Sequence, residues 1–333
     1  MDRKAVFHRR QVSTGLAAAV ALPLAGRLPG ASVLAQTAGG AWERLSELTA
    51  EAQRLGLSAP RTSLMPSRGG DAFDETMPAL IDFMDSVEAS APETREVAPA
   101  DVESLLERAS QILRELRNAE RPSREILEDV ETREALRAAP PALETIADEY
   151  RQRFATCQIN DSKRSEVLWY ASKVTDASRR AAYGKVYEET CVPWYVVAIT
   201  HGMEASFDMQ AHIHNGDPLK KKTVQVPKGR PEPWNPPSDW ASSAIDAMRY
   251  DKLDEKPDWL LANMLYRWES YNGWSSRLRH GIATPYLWSF SNHYTKGKYV
   301  ADGVWDPNAV SKQCGAAVML KALVESGAVA LPA

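Results

Sequence analysis

The stretch from Val192 to Phe207, VPWYVVAITHGMEASF, constrains the fold more than any other part of the chain. Val192, Tyr195, Val196, Ile199 and Met203 recur at helical spacings around Pro193, which suits a first helical position. The segment is therefore expected to be a buried helix. It ends in Glu204. A carboxyl at the C-terminal end of such a helix, set among apolar side chains, has its charged form disfavoured by lost hydration and by the helix dipole. Those are the surroundings a general acid needs.

A turn follows. In the sequence after Glu204, Asn215-Gly216 is a tight-turn signal, and Thr223 and Gln225 alternate with Val224 and Val226 as in a strand. A helix ending in Glu and then a β-hairpin is the expected outcome. Asp217 stands at the turn and Thr223 on the strand after it, so helix and hairpin are expected to form two walls of one cleft. Between residues 191 and 305 lie eight of the ten Trp and seven Tyr, which fit either a large aromatic core or the lining of that cleft.

Upstream the character differs. Asp101 to Leu116 places Val102, Leu105, Leu106, Ala109, Ile112, Leu113 and Leu116 on one face, an amphipathic helix behind Pro99. Shorter helical patterns run from Trp42 to Leu57 and from Met77 to Val87, with a Gly, Pro and Ser-rich loop around Met65 to Gly70 between them. A further helix follows Pro122 (Ile126, Leu127, Val130), and another runs from Leu143 to Phe154 after the break at Pro140-Pro141. The net charge is +4 over residues 1–35, -12 over 36–150 and +4 over 151–333. That asymmetry suggests modules with different partners, and no concentrated basic stripe exists for nucleic acid. The first 35 residues read as an export segment. Arg9 and Arg10 precede a weakly apolar, Ala-rich stretch from Val12 to Leu28, and small residues end at Ala35. This is similar to a twin-arginine signal, which implies a periplasmic or extracellular location without an integral membrane segment after cleavage. The expected organisation is an export segment (1–35), an acidic helical spacer or accessory region (36–142) and a catalytic domain (143–333). The acidic helices carry no catalytic motif and read as a spacer or as a docking arm for a protein partner.

Several blocks share one order with a known family. THGMEASFDMQAHIHNGDPL, TVQVPKGRP, SAIDAM, ESYNGW, TPYLWSFSNHYTKGKYVADG and AVSKQCGAAVMLKAL resemble the catalytic module of lysozyme-family proteins of phages, prophages and proteobacteria. The resemblance covers about 130 residues, 192 to 320. It implies a mainly α, lysozyme-like α+β fold with a small hairpin, acting as a muramidase on the β-1,4 bonds of peptidoglycan without a cofactor. Phage-type lysozymes use a Glu, a hairpin Asp and a Thr, and Glu204, Asp217 and Thr223 are the counterparts by position. The five residues between Asp217 and Thr223 agree with that pattern, whereas the twelve between Glu204 and Asp217 exceed the usual eight. Glu204 would protonate the leaving oxygen while Asp217, with Thr223, positions water on the opposite face, which predicts inversion. Tyr271, Asn272, Tyr286, Trp288, Asn292 and His293 are the candidate sugar contacts. Asp208, Asp246 and Asp302 are alternatives for the second carboxylate.

Other readings stay open. Soluble transglycosylases are echoed in Glu204-Ala205-Ser206 and Tyr271-Asn272-Gly273, but their Gly-Leu-Met-Gln block is absent. His201, His212 and His214 with Glu204 and Asp217 are residue types that bind zinc or iron, although the blander role is to orient the hairpin, and no metal is assigned. A catalytically silent, wall-binding lysozyme-like protein is the non-enzymatic alternative. Cys157, Cys191 and Cys314 have no short spacing and leave open one disulfide with one free thiol, or three buried thiols.

Overall fold

A computed structural model describes residues 30–60, 72–94, 97–120, 140–225, 227–233, 239–255, 258–301 and 304–332. The export segment up to residue 29, the loop around Met65 to Gly70, the helix expected after Pro122, Trp234 and Asp302 lie outside the described residues.

Three amphipathic helices come first: α1 (Gly30–Arg54), α2 (Ala72–Ser90) and α3 (Pro99–Glu120). Their apolar faces close on one another around Leu45, Leu48, Phe73, Leu80, Phe83, Leu105, Leu113 and Leu116. On α3 the buried apolar residues are those its three- and four-residue spacing selects, with Val102 at the margin.

The second region is built from α4 (Leu143–Ala155), α5 (Arg164–Val174), α6 (Ala177–Thr190), α7 (Trp194–Ala205), α8 (Trp240–Tyr250), α9 (Leu261–Asn272), α10 (Ser275–His280), α11 (Pro285–Trp288) and α12 (Ala316–Glu325). Helix α7 is the axis, packed on by α5, α6 and α12, and every residue from Tyr195 to Ala205 is buried. The fold is mainly α with a small antiparallel sheet. That sheet pairs β1 (Lys298–Ala301) with β2 (Val304–Asp306), opposing Tyr299 to Trp305.

This ladder is not where the sequence places a hairpin. The Asn215-Gly216 turn forms and is flanked by a single bridge between Ala211 and Pro218, but Thr223 to Gln225 make no ladder. Side chains take the backbone groups a strand would use: Asp217 accepts the N–H groups of Val224 and Gln225, and Thr223 accepts that of Arg230.

The two regions dock through opposite charges. Asp74 pairs with Lys163, Asp82 and Asp85 with Lys173, Asp85 with Arg179, Glu103 and Glu107 with Lys220, and Glu120 with Lys298. Each pair joins an acid of the first region to a base of the second. The acidic helices therefore lie against the second region and do not hold it at a distance. Cys157 and Cys314 are buried, Cys191 is exposed, and all three are free thiols.

Candidate active site

Glu204 occupies the last turn of α7 and is 2% exposed. The hydroxyl of Tyr286 donates to its Oε1 at 2.8 Å. Tyr286 is presented by α11, whose start is fixed by Thr284, the side-chain oxygen of which accepts the Tyr286 N–H. The carbonyls at the end of α7 lack helical partners, and Gln313 supplies one: its Nε2 donates to Met203 O at 2.9 Å and Gly202 O at 3.4 Å. After Glu204 the chain leaves the helix through Ser206 and Phe207, both left-handed at φ 53° and 60°. That reversal folds the Phe207 ring over Gly202, where an added Cβ would stand 2.4 Å from a ring carbon. Only glycine fits there.

Around this turn the buried imidazoles hold the chain. His201 Nε2 faces Asp208 O at 3.1 Å and, since a carbonyl can only accept, carries the proton; Nδ1 then accepts from the Tyr183 hydroxyl at 3.0 Å. Burial pushes His201 down to about 3, so it is neutral. His212 donates through Nε2 to Lys221 O and accepts from Ser243 on α8, and burial lowers it too. His214 donates to Asp246, also on α8. Burial alone would raise the Asp246 carboxyl, but His214 and Arg230 outweigh it and hold it below its usual range. The bland expectation for His212 and His214 is what the structure shows: they fasten the 211–218 turn to α8. Among the described residues no group of three or more His, Cys, Asp or Glu is arranged to hold a metal ion.

The other predicted residues are placed unequally. Asp217 is buried, and its Oδ2 accepts from Val224 N at 2.8 Å, Gln225 N at 2.9 Å and Asn215 Nδ2 at 3.1 Å. Thr223 is buried as well, donating to Pro227 O and accepting from Arg230 N. Both residues close the loop that contains them. Tyr271 and Asn272 end α9 and are half-buried. Tyr286 contacts the acid itself and is 4% exposed, so its expected place on a sugar face is corrected to a partner of Glu204.

One more expected sugar contact needs correction, and two others are tied into the fold. Trp288 is fully buried and meets His293 edge-on, so its faces belong to the core. Asn292 bonds Gln158 N and Thr156 O, while His293 Nε2 donates to Arg153 O at 2.7 Å. Both tie their loop to the end of α4. Of the alternative carboxylates, Asp208 is engaged by the Ser110 hydroxyl and Gln210 N, and Asp246 by His214 and Arg230. Most of the aromatic wealth is core: Trp240, Trp259, Trp268, Trp274 and Trp288 are all buried. Gln313 escaped the sequence reading because nothing in KQCGAA marks a glutamine that will reach a helix end 110 residues earlier.

No family model matches the chain, and no curated protein or solved structure matches it either.

Proposed function

We propose that this chain cleaves the β-1,4 bonds between N-acetylmuramic acid and N-acetylglucosamine in peptidoglycan, with Glu204 as proton donor. One observation carries the reading: a carboxyl buried at the end of a fully buried helix, bonded by the Tyr286 hydroxyl. The lysozyme-like sequence blocks and the twin-arginine-like start support the same assignment and an exported, periplasmic site of action.

With Tyr286 donating to Oε1, the acidic proton rides on Oε2. It passes to the glycosidic O4 as the C1–O4 bond breaks and its electron pair moves to O4. Water held by Asp217 adds to C1 from the opposite face and gives its proton to that carboxylate, leaving an inverted reducing end. The bonds that Asp217 and Thr223 make within their loop favour a second reading. There Glu204 acts alone, first as acid and then as base toward the C6 hydroxyl of the same sugar, and the product is a 1,6-anhydro end.

The test is the Glu204→Gln protein against purified peptidoglycan. Loss of the proton donor is expected to lower cleavage by about 10²–10⁴-fold. A variant that digests the wall at the wild-type rate would remove Glu204 from the reaction. Mass spectrometry of the fragments separates the two readings, reducing ends for hydrolysis and anhydro ends for internal attack.

A further inference from the structure

We infer that Glu120, at the C-terminal end of α3, is a positioning residue for Glu204; the inference rests on the reading of Glu204 as proton donor. Glu120 lies far from Glu204 in sequence and in the other region of the molecule, yet it is only 3% exposed. Its Oε1 accepts from the backbone N–H of Lys312 at 2.6 Å, from the Ser311 hydroxyl at 3.2 Å and from Lys298 Nζ at 2.9 Å. Lys298 also donates to the backbone oxygen of Glu120. One carboxylate thus pins the 311–312 segment to β1 and to the end of α3.

The next residue is Gln313, which caps Met203 and Gly202 immediately before Glu204. On its other side the segment is fixed by Gly315. An added Cβ there would stand 2.3 Å from Leu287 O, so α12 starts hard against α11, the helix that carries Tyr286. Residues 311–315 are therefore held at both ends, and what they hold is the last turn of α7. Helix carbonyls at a C-terminus have no partner within the helix, so the group that caps them sets how that turn is wound. The direction of the Glu204 carboxyl toward Tyr286 then depends on an acid supplied by the N-terminal helices. On this account those helices complete the site through α3, which touches the acid's own loop again where Ser110 bonds Asp208 and Arg117 bonds Asn215 O.

The experiment uses the full chain and measures kcat and KM on peptidoglycan together with hydrogen exchange of the peptide spanning residues 202–207. Glu120→Ala is expected to lower kcat by about 10- to 100-fold with KM within about twofold, because the acid is misaligned while substrate contacts remain. Glu120→Gln keeps an acceptor for the Lys312 N–H and is expected to retain most of the rate. A role confined to stability through the Lys298 ion pair predicts the opposite, Gln and Ala equally destabilised and neither changing kcat. Gln313→Ala, which leaves the junction intact, is expected to reproduce the loss should Glu120→Ala fail to fold. The double variant is expected to be no slower than the worse single one, since both act along one path. Unchanged kcat and unchanged exchange in Glu120→Ala, or losses that multiply in the double variant, would overturn the inference. If the wild-type chain cleaves no glycan while Glu120→Ala still accelerates exchange at 202–207, the reading of Glu204 falls and the structural link stands. If the wild type cleaves and exchange does not move, the link falls instead.

Discussion

The three N-terminal helices and the helical region around α7 bury polar groups in different ways. In the first, the core is apolar, and three of its buried polar side chains, Ser110, Arg117 and Glu120, reach across to the second region. In the second, His201, Glu204, Asp208, His212, His214, Asp217, Thr223 and Ser243 are all buried near the end of α7 and the loop that follows it. Burying so many polar groups is costly unless they find partners, and most of those partners are side chains and backbone groups packed around them, such as Tyr286 on Glu204, Ser110 on Asp208 and Asp246 on His214. The difference teaches how each region is held: the N-terminal helices by hydrophobic burial, and the region around α7 by a fixed polar arrangement that is costly to bury.

That contrast can be broken by substitution. The largest expected effect on stability is at Glu269, 1% exposed, which receives two bonds from Arg277 and one from the Tyr150 hydroxyl. Glu269→Ala leaves the Arg277 charge short of its buried partner and is expected to cost about 3–5 kcal/mol in chemical denaturation. Next is Gly202→Ala, where the new methyl meets the Phe207 ring. Overpacking there is expected to cost about 1–3 kcal/mol and, under the proposed function, to slow glycan cleavage, because the turn beside Glu204 must shift. A merely additive loss of stability with full activity would separate that turn from the site.

Acidity sharpens the comparison. His201 has a folded value of about 3 against an unfolded value near 6.5, so the unfolded chain binds the proton first as pH falls. Stability is therefore complete above pH 6.5 and declines through the window from 6.5 to about 3, by at most about 1.4 kcal/mol per pH unit for this group. No histidine occurs between residues 30 and 120, so this dependence belongs to the region around α7. His201→Gln is expected to flatten the slope of the unfolding midpoint against pH; an unaltered slope would assign it elsewhere. The smallest effect is expected at the junction's rim. Lys220 pairs with Glu103 and Glu107 in largely exposed positions, and Lys220→Ala is expected to cost about 0.2–1 kcal/mol, screened by salt.

Much of this was legible in the sequence where the cause is local. The helices follow from apolar spacing and from prolines that open them, as α3, which begins at Pro99, shows. The helix that delivers Glu204 followed from the same rule. Failures arose where side chains compete with the backbone or where partners are distant. Thr223 to Gln225 alternate like a strand, but Val224 and Gln225 give up their N–H groups to Asp217, while the observed ladder joins Lys298–Ala301 to Val304–Asp306. Trp288 carries no mark that distinguishes a core ring from one facing a groove, because burial depends on what packs against it.

Sequence alone determined the helical content, the burial of the helix that became α7 and the acid at its end, since a 3.6-residue repeat of apolar side chains is written in consecutive positions. Tertiary structure decided which phenol meets that acid, which glutamine caps its helix and which acids of the N-terminal helices pair with which bases. Those choices join residues up to 192 positions apart, as Glu120 and Lys312 are, and a hydrogen bond is set by distance in space, which no spacing along the chain encodes.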